Sequence, residues 1–344
     1  MSFFFAASRL TAKSQIGIDE PASFRLLQPK TLEEAARMLE EHGAAAVALA
    51  GGCDILEKIK TQWIAPSFVV NLKPVLSREI NAGKAEATLK IGAGATVAQV
   101  AKSPLLPTAL RQAAIKVATP QIRNVGTLGG NILQDSRCPY YRGPWHCYRA
   151  GGLTCDAVRG FTHEHALFGG ERCFTVTPSD TAVALVALDA QAEIFSLKAK
   201  AIERRRLSDI FALPAYDITR MHKLKQDEVL ADIILPPAKP GARSAFRKAA
   251  MREAWDFALA SVAVECEMEG DICREARIVL GAVAPVPWRA TDAENVLRGG
   301  KIKDRIEDAV RASVNGAEPL THNHYKIGLI KNLLRECLEE IAQP

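Results

Sequence analysis

The chain is 344 residues long, with 48% hydrophobic and 24% charged residues. That composition excludes intrinsic disorder, and a length more than twice that of a typical domain predicts two or three packed units. Lys+Arg 44 against Asp+Glu 39 leaves a net charge of only +5, and no run reaches the ~18 apolar residues of a membrane span. Neither a membrane span nor a nucleic-acid partner is expected, since the densest basic run, Glu203 to Arg206, is too short for a binding stripe.

The segment Met1 to Lys13 lacks the order of charge, long apolar core and cleavage site that marks a secretory signal. Residues 1–22 are therefore expected to be an extension of a cytoplasmic protein, although export on a partner's signal would leave the same trace. From Thr31 to His42 the spacing predicts an amphipathic helix, with Thr31 and Glu34 as a capping box and Leu32, Ala35, Ala36 and Leu39 on one face. Apolar runs at Val47–Ala50 and Phe68–Leu72 read as buried strands. A further strand at Leu89–Ile91 leads into Gly92-Ala93-Gly94, followed by helical spacing from Leu105 to Val117. Residues 131–173 carry no sustained period and are rich in Gly, Arg, Cys, His and aromatics, so they are expected to be a long functional loop. Regular structure resumes with a helix at Ser179–Leu188 and a strand at Ala192–Leu197. Pro236 to Gly241 reads as a linker. Beyond it, Ala258–Glu267 and Arg277–Val283 read as antiparallel strands, and Ile327, Ile330, Leu334 and Leu338 mark a final helix.

Two glycine pairs follow apolar runs: Ala50-Gly51-Gly52-Cys53-Asp54-Ile55-Leu56 and Arg123-Asn124-Val125-Gly126-Thr127-Leu128-Gly129-Gly130-Asn131. Paired glycines let backbone N–H groups approach an anion such as a pyrophosphate, with Asp54, Thr127 and Asn131 able to add side-chain bonds. Each pair could equally be a tight turn. Neither is a Rossmann fingerprint; Gly92-Ala93-Gly94-Ala95-Thr96-Val97 comes nearest and ends in valine. Four of the eight cysteines, Cys138, Cys147, Cys155 and Cys173, crowd into the irregular loop. Thiolates suit iron–sulfur clusters or zinc, and the absence of C-x-x-C pairs weakens zinc; unliganded thiols remain an alternative at this point. His146, His163 and His165 lie close enough in sequence to substitute as ligands, but supporting or surface roles are the simpler reading. On physical grounds alone Ser179-Asp180 is a helix cap, and Lys248 and Arg252 are exposed charges.

Five ordered segments together resemble the FAD-binding medium subunits of the molybdenum hydroxylase family. They are Phe24–Glu34, Ala50–Leu56, Gln121–Ile132, Ser179-Asp180-Thr181-Ala182 and Ala284-Pro285-Val286-Pro287-Trp288-Arg289-Ala290. That family includes xanthine and carbon monoxide dehydrogenases, aldehyde oxidoreductases and 4-hydroxybenzoyl-CoA reductase. The resemblance implies an α+β fold: a two-part FAD-binding domain of the vanillyl-alcohol-oxidase type over residues 23–236, split near 75–85, then a C-terminal α+β domain over 242–344 with an antiparallel sheet and helices.

In similar subunits the glycine loops hold the FAD. This carries over to Leu49, Ala50, Gly51, Gly52, Cys53, Asp54, Ile55 and Leu56, and to Ile122, Gly126, Thr127, Gly129, Gly130 and Asn131. Ser179 and Asp180 are implied to contact the nucleotide, Leu235 to lie near the isoalloxazine, and Lys248, by a looser match, to bind the cofactor. Cys53 departs from the Thr or Ser usual in relatives, which puts that side-chain contact in doubt. The stretch at about 135–175, with Arg137-Cys138-Pro139-Tyr140-Tyr141, resembles an insertion found in the aldehyde oxidoreductase and 4-hydroxybenzoyl-CoA reductase branches, whose four cysteines bind a 4Fe–4S cluster. The spacing looks closer to the first branch.

The implied role is electron transfer. A large partner subunit would hold the molybdenum cofactor, a small one two 2Fe–2S clusters, and a soluble acceptor or donor would complete the path. No catalytic acid or base is expected in this chain. Two rivals stand beside this reading: a stand-alone flavin dehydrogenase, which needs its own base beside the flavin, and a zinc-binding scaffold, which would hold zinc and no flavin.

Overall fold

The computed structural model describes residues 22–82 and 88–343, so the expected N-terminal extension lies outside the described residues except for Ala22. The first layer comprises β1 (Arg25–Leu27), α1 (Leu32–His42), β2 (Ala46–Leu49), α2 (Ile55–Lys60) and β3 (Phe68–Asn71). Its strands form a parallel sheet in the order β1-β3-β2. Helix α1 buries Ala35, Ala36 and Leu39 as its spacing requires. Its cap differs by one residue from the expected box: Thr31 Oγ accepts from Glu34 N at 3.0 Å, but the Glu34 carboxylate accepts from Lys30 N at 2.7 Å.

The second layer opens with β4 (Ile80–Ala82), β5 (Leu89–Gly92) and α3 (Val97–Lys102), followed by α4 (Thr108–Ile115), α5 (Pro120–Val125), α6 (Leu128–Ile132) and the single turn α7 (Pro139–Arg142). It closes with α8 (Asp180–Ala187), β6 (Gln191–Ser196), β7 (Ala201–Arg206) and β8 (Glu228–Leu235). The sheet is antiparallel in the order β4-β5-β8-β6-β7. The helix expected from Leu105 starts at Thr108, because Pro107 occupies the N-cap. A complete capping box is present instead at Thr96–Gln99, ahead of α3.

The C-terminal layer carries β9 (Ala242–Ala249), β10 (Ala260–Glu269), β11 (Ile272–Gly281) and β12 (Trp288–Arg289), then α9 (Thr291–Leu297), β13 (Gly300–Lys301), α10 (Ile302–Ala312) and α11 (Tyr325–Ile341). The sheet runs β12-β11-β10-β9, with β13 on β11. Strand β11 begins five residues before the expected Arg277, because Gly270, at φ +62°, turns the chain straight out of β10. It ends at Gly281, where Ala282 takes a φ of +59°. One core cluster joins α1, α4, α8 and the second sheet, and reaches Phe246, Ala263 and Val279 of the third. A second cluster packs α9, α10 and α11 on the C-terminal sheet. Among the described residues no helix is long and apolar enough to cross a membrane.

Lys326 of α11 is fully buried and donates to Ala282 O at 2.8 Å. Burial pushes its ammonium down to about 7, against a smaller opposing pull from Glu164. A lysine depressed in the folded state makes the unfolded chain bind more protons between about 7 and the usual 10.5, so stability should rise with pH across that window, by up to about 5 kcal/mol. Denaturation midpoints measured at pH 7, 8.5 and 10 should show this slope, and Lys326→Met should flatten it.

Candidate cofactor site

Strand β2 delivers the chain into Gly51-Gly52, and Gly52 adopts φ +81°, a left-handed turn that leads into α2. The second loop is the junction of α5 and α6. There Thr127 caps α6, its Oγ accepting from Gly130 N at 3.1 Å. The two loops touch: a Cβ placed on Gly51 would stand 2.7 Å from Val125 O and 2.8 Å from Gly126 Cα. On the other side a Cβ on Gly129 would meet the Ala93 side chain at 2.9 Å. These glycines are thus required by backbone packing as much as by access to a ligand.

Between and beside the loops lies a cavity of about 860 Å³. Ala50, Gly51, Gly52, Cys53, Asp54 and Ile55 line it from the first loop, and Ile122, Gly126, Thr127, Gly129, Gly130 and Asn131 from the second. Asp180 and Lys248, also expected, line it as well. Contrary to the plain reading of an exposed charge, the Lys248 side chain is buried: its Nζ donates to Asp180 at 2.7 Å, Asp256 O at 2.9 Å and Lys116 O at 3.0 Å, satisfying all three of its protons. Burial raises the Asp180 carboxyl despite the pull of Lys248.

Four expected residues stand off the cavity wall. Leu49 and Leu56 back the Gly52 turn, 3.4 and 2.9 Å from where a Cβ would sit. Ser179 caps α8 and donates to Asn131 Oδ1 at 2.7 Å; with Thr181 also donating to that oxygen at 2.6 Å, the Asn131 amide N–H groups are the ones left for the cavity. Leu235 pairs with Leu89 at the far end of β8, whereas the cavity meets that strand at Glu228, Val229 and Leu230. The Cys53 thiol faces Gly51 O at 3.8 Å.

Asp54 lines the cavity with its carboxylate already engaged. Its carboxylate accepts from Arg142 at 2.6 Å, Arg137 at 3.1 Å and Asp135 N at 2.8 Å, so it anchors the cysteine-rich segment to the first glycine loop. Asp135 is the second anchor, accepting from Lys58 and Arg149 at 2.7 Å each and from Tyr141 OH at 2.9 Å. Burial would raise its carboxyl, but Arg149 and Lys58 outweigh that and hold it well below the usual carboxylate range.

The anchored segment gathers its thiols. Cys138 and Cys147 pack with Trp63 and Tyr141, and all four cysteines are free of disulfides. Cys138, pushed up to about 12, and Cys173, to about 11, are raised chiefly by burial, then by the charge of Cys147; Cys155 is raised in the same way. His165 Nε2 stands 3.4 Å from Cys138 Sγ, and burial and nearby Lys326 lower its ring to about 4, so it is a neutral neighbour. His146 is exposed beside Asp156, and His163 stacks on His322 at 5.0 Å. Among the described residues no group of three or more His, Cys, Asp or Glu side chains is arranged to hold a single metal ion.

Sequence reasoning missed part of the wall: Thr219 to His222 and Leu224, the aromatic pair Trp255 and Phe257, and Arg149. The loop bearing Trp255 is tied across the cavity by Trp255 N donating to Ala118 O at 3.2 Å, with φ +81° at the tryptophan. The only sequence signal for this loop is its unusual aromatic density after β9. The cavity suits a large anionic nucleotide cofactor. It offers two glycine loops that side chains would close, and buried nitrogens at Arg137 Nε, Arg149 Nε and His222 Nδ1 that have no hydrogen-bond partner among the described residues.

Such a site defines a nucleotide-cofactor protein of a non-Rossmann kind. Residues 22–238 match the family of the FAD binding domain in molybdopterin dehydrogenase, and residues 230–341 match the CO dehydrogenase flavoprotein C-terminal domain. The chain belongs to this family of FAD-binding oxidoreductase subunits. It is 32% identical to the aldehyde oxidoreductase FAD-binding subunit PaoB of Escherichia coli K12, over 85% of this chain and 90% of that one. It is 27% identical to the nicotinate dehydrogenase FAD-subunit of Eubacterium barkeri, over 81% of each chain. Among solved structures, carbon monoxide dehydrogenase from Hydrogenophaga pseudoflava superposes with a TM-score of 0.72 at 23% identity, covering 93% of this chain and 98% of that one. Quinoline 2-oxidoreductase from Pseudomonas putida 86 gives 0.70 at 24% identity, covering 94% and 99%.

Proposed function

We propose that this chain is the FAD- and 4Fe–4S-carrying electron-transfer subunit of a molybdenum hydroxylase complex of aldehyde oxidoreductase type. Its partners are a large molybdenum-cofactor subunit and a small subunit with two 2Fe–2S clusters, and a soluble carrier takes or gives the electrons. The observation that carries this reading is the gathering of Cys138, Cys147, Cys155 and Cys173 beside a segment that is ion-paired to the first glycine loop. The 32% identity to an aldehyde oxidoreductase subunit favours that branch over a 4-hydroxybenzoyl-CoA reductase-like one.

Bound FAD supplies an exchange between single-electron and paired-electron transfer, and the protein's part is to hold and tune it. The backbone of Gly51 to Cys53 and of Thr127 would offer N–H groups to the pyrophosphate, and Asn131 would add its amide. Lys248 and Asp180 close the wall as a neutral pair, and the Trp255 loop covers it. A 4Fe–4S cluster would supply a one-electron relay. Four thiols without the C-x-x-C pairs of common zinc sites suit a cluster better than zinc.

Cys147→Ser is expected to lose the iron while keeping at least four-fifths of the flavin, about the wild-type occupancy, because Cys147 lies outside the glycine loops. Iron and flavin assays on the purified variant check this. Iron retained in that variant and lost in none of the other three serine variants would contradict the ligand set.

A further inference from the structure

Four cations and three carboxylates knit the cysteine-rich segment to the flavin side, and they do not balance. Arg137 and Arg142 are matched by Asp54 and Glu57, which accept from them at 2.6 to 3.5 Å. Lys58 and Arg149 share the single carboxylate Asp135, which leaves a surplus positive charge. Of those two cations Arg149 is the deeper, its side chain 3% exposed against 12% for Lys58. Its guanidinium lies over the Tyr141 ring at 5.1 Å, donates to Asp135 at 2.7 Å and Ile218 O at 3.2 Å, and keeps a buried Nε–H with no acceptor among the described residues.

Arg149 borders both sites at once. It lines the glycine-loop cavity together with Asp135. It also sits two residues from Cys147 and against Tyr141, which packs on Cys147 with Cys138 alongside. Reducing a cluster or a flavin adds negative charge, and a buried cation nearby favours the reduced state because low-dielectric surroundings screen it little.

We propose that Arg149 is a shared counter-charge, a positioning residue held by Asp135 that raises the reduction potentials of the cysteine-bound cluster and of the flavin together. The inference rests on the function proposed above, since it needs both groups in place. It makes the Asp135–Arg149 pair an electrostatic link between two sites that the primary structure separates.

The test uses the full chain, purified anaerobically with any subunits that accompany it. Cluster and flavin potentials are read separately by spectroelectrochemistry, with iron and flavin counted on the same sample. Arg149→Met is expected to disfavour cluster reduction at least tenfold, about 59 mV for one electron, with the flavin moving the same way. Arg149→Lys should recover most of that shift, because charge rather than shape is responsible. If the methionine variant does not retain its cluster, Asp135→Asn carries the test in the opposite sense, and both potentials should rise. Unshifted potentials in a fully loaded Arg149→Met, a lysine variant shifted as far as methionine, or an Asp135→Asn in which either potential stays or falls would overturn the inference. A wild-type chain that binds no iron overturns the proposed function instead, so the two failures are distinguishable.

Discussion

Gly51→Ala is expected to leave the chain folded and nearly free of flavin. The added methyl would stand 2.7 Å from Val125 O, 2.8 Å from Gly126 Cα and 3.0 Å from Thr127 N, all backbone atoms that cannot rotate away. Something must shift, and what shifts is the second glycine loop, whose Gly126, Thr127 and Gly130 line the cavity. Overpacking of this kind costs ~2 kcal/mol or more, about a thirty-fold loss of affinity when it falls on the ligand-bound geometry. Gly328→Ala is the control. It lies inside α11 with no atom within 4 Å of its new Cβ, and it should gain about 1 kcal/mol of stability with flavin untouched. Flavin content by absorbance after gel filtration, read beside the thermal midpoint, separates the two effects. Full flavin retention in Gly51→Ala would mean that the two loops do not jointly form the site.

Lys248→Met is expected to destabilise the fold by about 3–5 kcal/mol, the usual cost of stranding one member of a buried ion pair. Asp180 and Lys248 have side chains only 6% and 4% exposed, and the lysine also bonds two backbone carbonyls, Lys116 O and Asp256 O. Its loss therefore releases three places at once: the start of α8, the end of α4 and the loop carrying Trp255. Asp180→Asn keeps a polar partner for the ammonium and should cost less. Equilibrium urea denaturation of the two variants beside wild type gives the comparison; equal costs would show that the pair does not act as a buried charge pair.

The parts of this molecule legible in the sequence are those set by local spacing. Glycine pairs after apolar runs marked both loops, the period of Ala35, Ala36 and Leu39 marked α1, and the clustering of Cys138, Cys147, Cys155 and Cys173 marked the segment that gathers them. What escaped depends on partners far away in the chain. Asp54 reads as a ligand-facing group until Arg142, 88 residues on, takes its carboxylate. Lys248 reads as a surface charge until Asp180, 68 residues back, is placed against it. Leu235 illustrates a different limit: a strand's end and its beginning look alike in sequence, and only the register with β5 shows which end meets the cavity. Arg149 had no local signal, because its importance lies in an unequal count of charges assembled from three segments.

The claim on which the account depends is that one chain holds a flavin and an iron–sulfur cluster together. It is tested most directly by anaerobic purification followed by assay of flavin, iron, acid-labile sulfide and zinc on one sample. The expected result is one flavin with four irons and four sulfides per chain. Flavin without iron would leave the glycine-loop site standing and remove the relay, and zinc without flavin would contradict the account as a whole.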